Sequence, residues 1–185
     1  KLFDITFTES EDLPKYRDNI RSFIVKDNDE KVIGIFYTDY TLRPNKGGGA
    51  WMNTFRSQSK FNGEVIPLVV NVCNFSKPDK DKKCLLSFDE ATTLFHEFGH
   101  ALHSILSNVS YPLVSGTSVA RDFVELPSQL FEHWLEVPEV LEKYAIHYKT
   151  GKPISKHLLE KLKKAKNIDQ GFSTVEYLSS AIVDL

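Results

Sequence analysis

Hydrophobic periodicity changes once along this chain, near Ser87, and that change limits the folds open to it. Up to residue 75 the apolar side chains alternate or run in short blocks: LFDITFT at 2–8, IRSFIVK at 20–26, KVIGIFYTDY at 31–40 and VIPLVVNVCNF at 65–75. Alternation with period two and short β-branched blocks specify strands. After Ser87, Leu94, Phe95, Phe98, Ala101, Leu102, Ile105 and Leu106 recur every three or four residues, which is the stripe of an amphipathic helix. Ser87 with Glu90 three positions later supplies a capping box for its start. A second helix is expected over 119–135, with Pro127 in its early part or at a break. A third runs from Pro138 towards Tyr148 and is broken by TGKP at 150–153; Ser155 caps a fourth, and GFSTVEYLSSAIVDL makes another. The expected fold class is therefore α+β, a small antiparallel sheet followed by a mainly helical core. Strands and loops occupy 1–86 and helices 87–185, and with no repeat or linker one domain is the simplest account.

The interruptions refine this picture. DNDE at 27–30 is a charged turn between two strands of a meander, and the stretch 12–19 around Pro14 is turn-like. KGGGAWM at 46–52 lacks the lysine and hydroxyl partners of a phosphate loop, and it neither follows a strand nor opens a helix. A tight turn or a close backbone approach is the expected role. Pro67 suits an edge strand or an irregular strand start, and KPDKDKK at 77–83 reads as a solvated loop.

Composition narrows the function classes. A net charge of −2 and a pI near 6.3 offer no broad attraction to phosphate backbones or anionic lipid, so neither nucleic acid nor a membrane is an expected partner. No run approaches the roughly 20 apolar residues that span a bilayer. Cys73 and Cys84 are expected to be free thiols, which fits a reducing compartment. The opening KLFDITFTESED has no signal-peptide profile and reads as the interior of a longer protein, which leaves an exported compartment open.

FHEFGH at 95–100 carries the chemistry. Four residues of helix turn about 40° past one revolution and rise about 6 Å, so His96 and His100 share a face and can hold one ion between them. Glu97 lies beside the first ligand but off that face, where a base acting on an activated water belongs. Gly99 costs about 1 kcal/mol relative to alanine at an exposed helix position; its missing side chain would let another backbone segment approach. The third protein ligand is sought in RDFVELPSQLFEHW. Glu125 interrupts the apolar cluster of Phe123, Val124, Leu126 and Leu130, and a carboxylate there is costly unless paired or coordinated. Asp122, three residues earlier, is placed to hydrogen-bond a ligand imidazole. Glu132 and His133, beside Trp134, fit the polar edge of helix packing better than contact with an ion. His103 is about 10 Å along the axis from His96, too far for the same ion, and is expected to be buried and hydrogen-bonded. These residues favour a zinc hydrolase over a noncatalytic helical module whose histidines are incidental.

HEFGHALH followed by SGTSVARDFVELPSQLFEHW resembles the thimet-oligopeptidase-like family of zinc peptidases, and FYTDYTLRPNKGGGAWM with PLVVNVCNF is most similar to its peptidyl-dipeptidase branch. The resemblance covers essentially the whole chain. It implies one zinc ion held by His96, His100 and Glu125, with Glu97 as the catalytic glutamate, and cleavage of short peptides in a deep channel between largely helical halves. Release of C-terminal dipeptides is the branch's reaction; internal cleavage without dipeptide preference is the alternative. The resemblance also implies that the strand carrying Asn71 and Asn74 lines the channel with its main chain facing an extended peptide, and that Gly116 and Thr117 lie in a loop near the metal. Family members continue on both sides of the matching segment, so N- and C-terminal parts of the same protein are expected partners. Family habit and the free cysteines together point to a cytoplasmic setting.

Overall fold

A computed structural model describes residues 2–76 and 85–184. The expected loop at 77–83 and Cys84 lie outside the described residues. The chain packs as two compact units, Lys1–Leu135 and Glu136–Leu185.

The first unit is built on a five-stranded sheet in the order β1-β2-β3-β5-β4. β1 (Thr6–Glu9), β2 (Arg21–Lys26) and β3 (Val32–Thr41) form the expected antiparallel meander, with Phe7 opposite Val25 and Phe23 opposite Phe36. The chain then passes through the glycine segment into β4 (Trp51–Arg56), and β5 (Leu68–Phe75) inserts between β4 and β3. β5 is antiparallel to β4, with Met52 opposite Asn71, and parallel to β3, with Tyr37 opposite Val70. The sheet is thus mixed, its one parallel pairing created by the strand that skips a place. Of the two roles expected for Pro67, the strand start is the one found: β5 is an interior strand, and Pro67 precedes its first residue, so the missing N–H falls outside the strand. One expectation is corrected. The glycine segment does follow a strand, and it opens another strand.

Alternation along the strands sorts the core into two layers. Ile20, Ile35, Tyr37, Val70 and Val72 cluster on one face. Val25, Phe36 and Val69 cluster on the other, against Ala101 and Ile105 of helix α1 (Phe88–Ile105). Phe36 and Phe98 meet edge to face at 5.6 Å, and Phe7 closes the group. Each such side chain contributes roughly 1.5–3 kcal/mol on burial, so this layer fixes α1 across the sheet. The helix begins as its sequence requires: Ser87 Oγ accepts from Glu90 N at 3.1 Å and Glu90 Oε2 accepts from Ser87 N at 2.8 Å.

The helix expected over 119–135 is shorter. α2 spans Leu126–Glu132 and runs into a 3-10 turn at His133–Glu136, while residues 121–125 form turns. Pro127 sits in the first turn of α2, the one helical position where a missing N–H is harmless. Glu125 is therefore the residue that caps the helix rather than one in its interior.

In the second unit, α3 (Pro138–Tyr144) stops before Tyr148, because Ile154 N donates to Ala145 O and His147 N to Lys152 O, both at 2.8 Å, turning the chain through Gly151 at φ +66. Ser155 caps α4 (Lys156–Lys166), and α5 (Gln170–Val183) follows with Phe172, Tyr177 and Ile182 exposed. No helix among the described residues is long and apolar enough to cross a membrane.

A buried charge cluster of the sheet centres on Asp39, which is 1% exposed. Burial works against its ionised form, but Arg43, Lys46 and Tyr16 all donate to its carboxylate and together hold its pKa down at about 2. A folded pKa below the unfolded value near 3.9 means that the stabilisation is complete above pH 4 and is lost as pH falls towards 2. Urea denaturation across that window should show a loss on the order of 2 kcal/mol from this group. Asp39→Asn should be less stable at pH 7 and show a flatter acid limb.

Candidate metal centre

The site is formed where α1 meets α2, and the contact is possible because Gly99 has no side chain. A Cβ at Gly99 would lie 2.6 Å from Ser128 Cα and 2.7 Å from Pro127 O. Backbone therefore meets backbone at this crossing, the close approach expected for this glycine. Phe95 and Phe98 pack on Phe131 with ring centroids 5.7 and 5.6 Å apart and hold the two helices together beside the glycine.

That approach carries Glu125, at the start of α2, to the histidine face of α1. Glu125 Oε2 lies 3.2 Å from His96 Nε2 and 3.1 Å from His100 Nε2. One ligand atom from each of His96, His100 and Glu125 falls within 4.8 Å of the others, so the three form a cluster able to hold one metal ion. Two imidazoles and a carboxylate are a donor set consistent with a single zinc site. Ser128 Oγ, fully buried, reaches both the backbone carbonyl of Glu125 at 2.8 Å and its carboxylate at 2.9 Å. Burial would raise the Glu125 carboxyl, but Ser128 and the two histidines outweigh it and lower its pKa. Burial lowers His100, favouring the neutral ring that ligates metals.

His96 is oriented from behind. Its Nδ1 is 2.7 Å from Glu132 Oε1, which keeps the proton on that nitrogen and leaves Nε2 facing the cluster. Sequence reasoning gave this support to Asp122 and set Glu132 aside. Asp122 is instead exposed in the turn before α2 and hydrogen-bonds no ligand imidazole. The available signal was the seven-residue spacing of Glu125 and Glu132, which returns to the same helix face after two turns.

Glu97 is 6% exposed and lies on the sheet side of the cluster. Its pKa is raised, first by burial and further by Glu125; His96 and a backbone hydrogen bond with Met52 of β4 oppose the rise. A buried carboxylate displaced towards neutrality beside a metal cluster is suited to exchanging protons.

The remaining expected site residues are dispersed. His103 is half-buried, with its ring 6.2 Å from Phe123 and its Nδ1 unpartnered among the described residues. Gly116 has φ +56 and packs on the last turns of α1, where a Cβ would meet Ser104 Oγ at 2.7 Å, and its amide donates to Ser107 Oγ. Thr117 follows it, half-buried. Asn71 is fully buried in β5. Asn74 donates to the carbonyls of Gly47 and Gly49.

The profile of peptidase family M3 matches residues 1–185. The chain belongs to this family. It is 42% identical over 185 residues to the dipeptidyl carboxypeptidase of Salmonella typhimurium and 40% identical to that of Escherichia coli, in each case covering all of this chain and 27% of the relative. Oligopeptidase A of Escherichia coli is 39% identical over 187 residues, covering 28% of that protein. The chain thus spans just over a quarter of the length of these M3 relatives.

Gly99→Ala gains about 1 kcal/mol of helix propensity, but the two contacts below 3.0 Å involve backbone that cannot yield cheaply. Overpacking on the order of 1–3 kcal/mol should win, and α2 should shift and carry Glu125 away. The expected result is a lower melting temperature and less than half the parental metal by elemental analysis. Glu132→Gln should leave folding intact and weaken metal affinity about 10-fold to 100-fold, measured by competition with a chromogenic chelator.

Proposed function

We propose that the whole protein hydrolyses peptide bonds in short peptides, with one zinc ion held by His96, His100 and Glu125 and with Glu97 as general base. The observation that carries this reading is the convergence of three ligand atoms beside a buried glutamate in a chain of the M3 family. Zinc bound there would supply Lewis-acid activation of water and of the scissile carbonyl. Glu97 takes the proton of the attacking water and passes it to the departing amine. Its raised pKa suits both transfers. Glu132 fixes the His96 tautomer, and Ser128 fixes the carboxylate that completes the ligand set.

An extended peptide needs a free strand edge for its main chain. β5 is paired with β3 on one side and β4 on the other, so the expected pairing through Asn71–Phe75 is not available. β4 is one of the sheet's two edge strands, and the one that carries Met52 next to Glu97. The substrate main chain is therefore assigned to β4.

Release of C-terminal dipeptides is the finer reading, supported by 42% and 40% identity to two proteins named dipeptidyl carboxypeptidase. Internal cleavage is the competing reading, supported by the 39% identity to oligopeptidase A. The remainder of the same protein is the partner that completes the substrate channel. A cytoplasmic setting accompanies this reading, supported by Cys73 being a free, buried thiol.

The test is cleavage of a short peptide by the whole protein, followed by mass spectrometry with free and amidated C-termini. Successive loss of dipeptides from the free form alone supports dipeptide release, whereas equal internal cleavage of both forms supports the competing reading. Glu97→Gln should retain parental zinc and lose on the order of 10²-fold to 10⁴-fold in kcat. His96→Ala, His100→Ala and Glu125→Ala should lose zinc and turnover together. Turnover unaffected by Glu97→Gln would remove the assigned base.

A further inference from the structure

β4 is held to the sheet from one side only, with Trp51, Met52, Asn53, Thr54 and Arg56 paired to β5 and a register shift between Thr54 and Arg56. It is also reached through three consecutive glycines, the residues that lose most conformational freedom when ordered. Met52 itself packs on the core layer under α1 and accepts from Ser104 Oγ, so what such an attachment still needs is something to hold the segment that leads into the strand.

Two side chains do so. Lys46 is buried, its side chain 4% exposed, and its Nζ donates to Asp39 O at 2.8 Å, Asp39 Oδ1 at 3.0 Å, Thr41 O at 3.1 Å and Cys73 O. These acceptors come from the ends of β3 and β5, so the lysine ties the start of the glycine segment to both strands. Asn74, on β5, donates through Nδ2 to Gly47 O at 2.7 Å and Gly49 O at 2.8 Å. Gly49 has φ +83, and a Cβ at Gly48 or Gly49 would meet nothing within 4 Å. The segment is therefore shaped by these bonds to its carbonyls and by no packing around Gly48 and Gly49.

We propose that Lys46 and Asn74 form a latch that fixes the edge strand β4 beside Glu97, and that they are positioning residues for the main chain of the peptide. This rests on the peptidase reading above, with β4 as the edge that receives substrate. Neither residue touches the reacting atoms. Asn74 thus acts on the peptide through the loop it holds, in place of lining the channel.

The test compares Asn74→Ala and Asn74→Asp with the parent, in the whole protein. Asn74→Asp keeps the side-chain shape while removing both N–H donors. Arg21→Ala, which removes an exposed ion pair to Glu9 between β1 and β2, is the control for general loss of stability. Hydrogen-exchange mass spectrometry should show about tenfold faster exchange over residues 50–56 in both Asn74 variants, the effect of releasing a net hydrogen bond, with residues 21–26 unchanged. KM for a peptide should rise about tenfold while kcat stays within about twofold and zinc content stays parental; the control should change neither constant. Unchanged exchange over 50–56 overturns the latch, as does a loss of kcat or zinc with KM unaltered. If the parent cleaves no peptide, the peptidase reading fails, and the exchange result alone then decides whether the latch exists.

Discussion

The contact between Gly99 and the backbone at Pro127 and Ser128 is the constraint from which the site follows. The histidines belong to α1 and the glutamate is the residue immediately before α2, 25 residues further along the chain from His100. They can share an ion only if the two helices approach more closely than side chains normally allow. A single missing methyl group permits this. Ser128 sits at the same crossing and bonds Glu125, so helix packing and ligand placement are one event. The aromatic contacts of Phe131 with Phe95 and Phe98 lock it from outside the polar cluster.

The sheet serves this arrangement by holding α1 in place and by presenting an edge. Ala101 and Ile105 anchor the helix on Val25, Phe36 and Val69. The helix is thereby rotated so that Glu97 faces β4 while His96 and His100 face α2. The glutamate and the two histidines point to different neighbours although they lie within five residues. A capping box at one end and the sheet beneath leave α1 little freedom to rotate, which suits a helix that must hold ligands in fixed geometry.

Charge is managed in two contrasting ways within the first unit. Around Asp39 every buried charge is matched by donors, and the cluster gives the β3 end a fixed shape. Around Glu97 burial is only partly offset, and the carboxyl is pushed towards neutrality. The first arrangement stabilises a charge; the second leaves one ready to take up a proton.

What the sequence determined by itself was local. Period-two blocks specified four of the five strands, and 3.6-residue periodicity with Ser87 and Glu90 specified α1 almost to the residue. Four-residue spacing aligned His96 with His100 and set Glu97 apart from them, the apolar cluster around it singled out Glu125, and the resemblance made it the third ligand. What only the tertiary structure decided was which distant segments meet. β4 was not legible because a short strand with polar members declares itself only when β5 pairs with it. The parallel β3–β5 junction, and with it the identity of the free edge, depended on a strand skipping a place, which no local pattern encodes. Glu132 rather than Asp122 supports His96 because Pro127 delays the start of α2, leaving Asp122 in an exposed turn and turning Glu132 inward two turns after Glu125. Spacing along one helix fixes directions within that helix, but a partner on another element is fixed by packing, here by the absence of a side chain at Gly99.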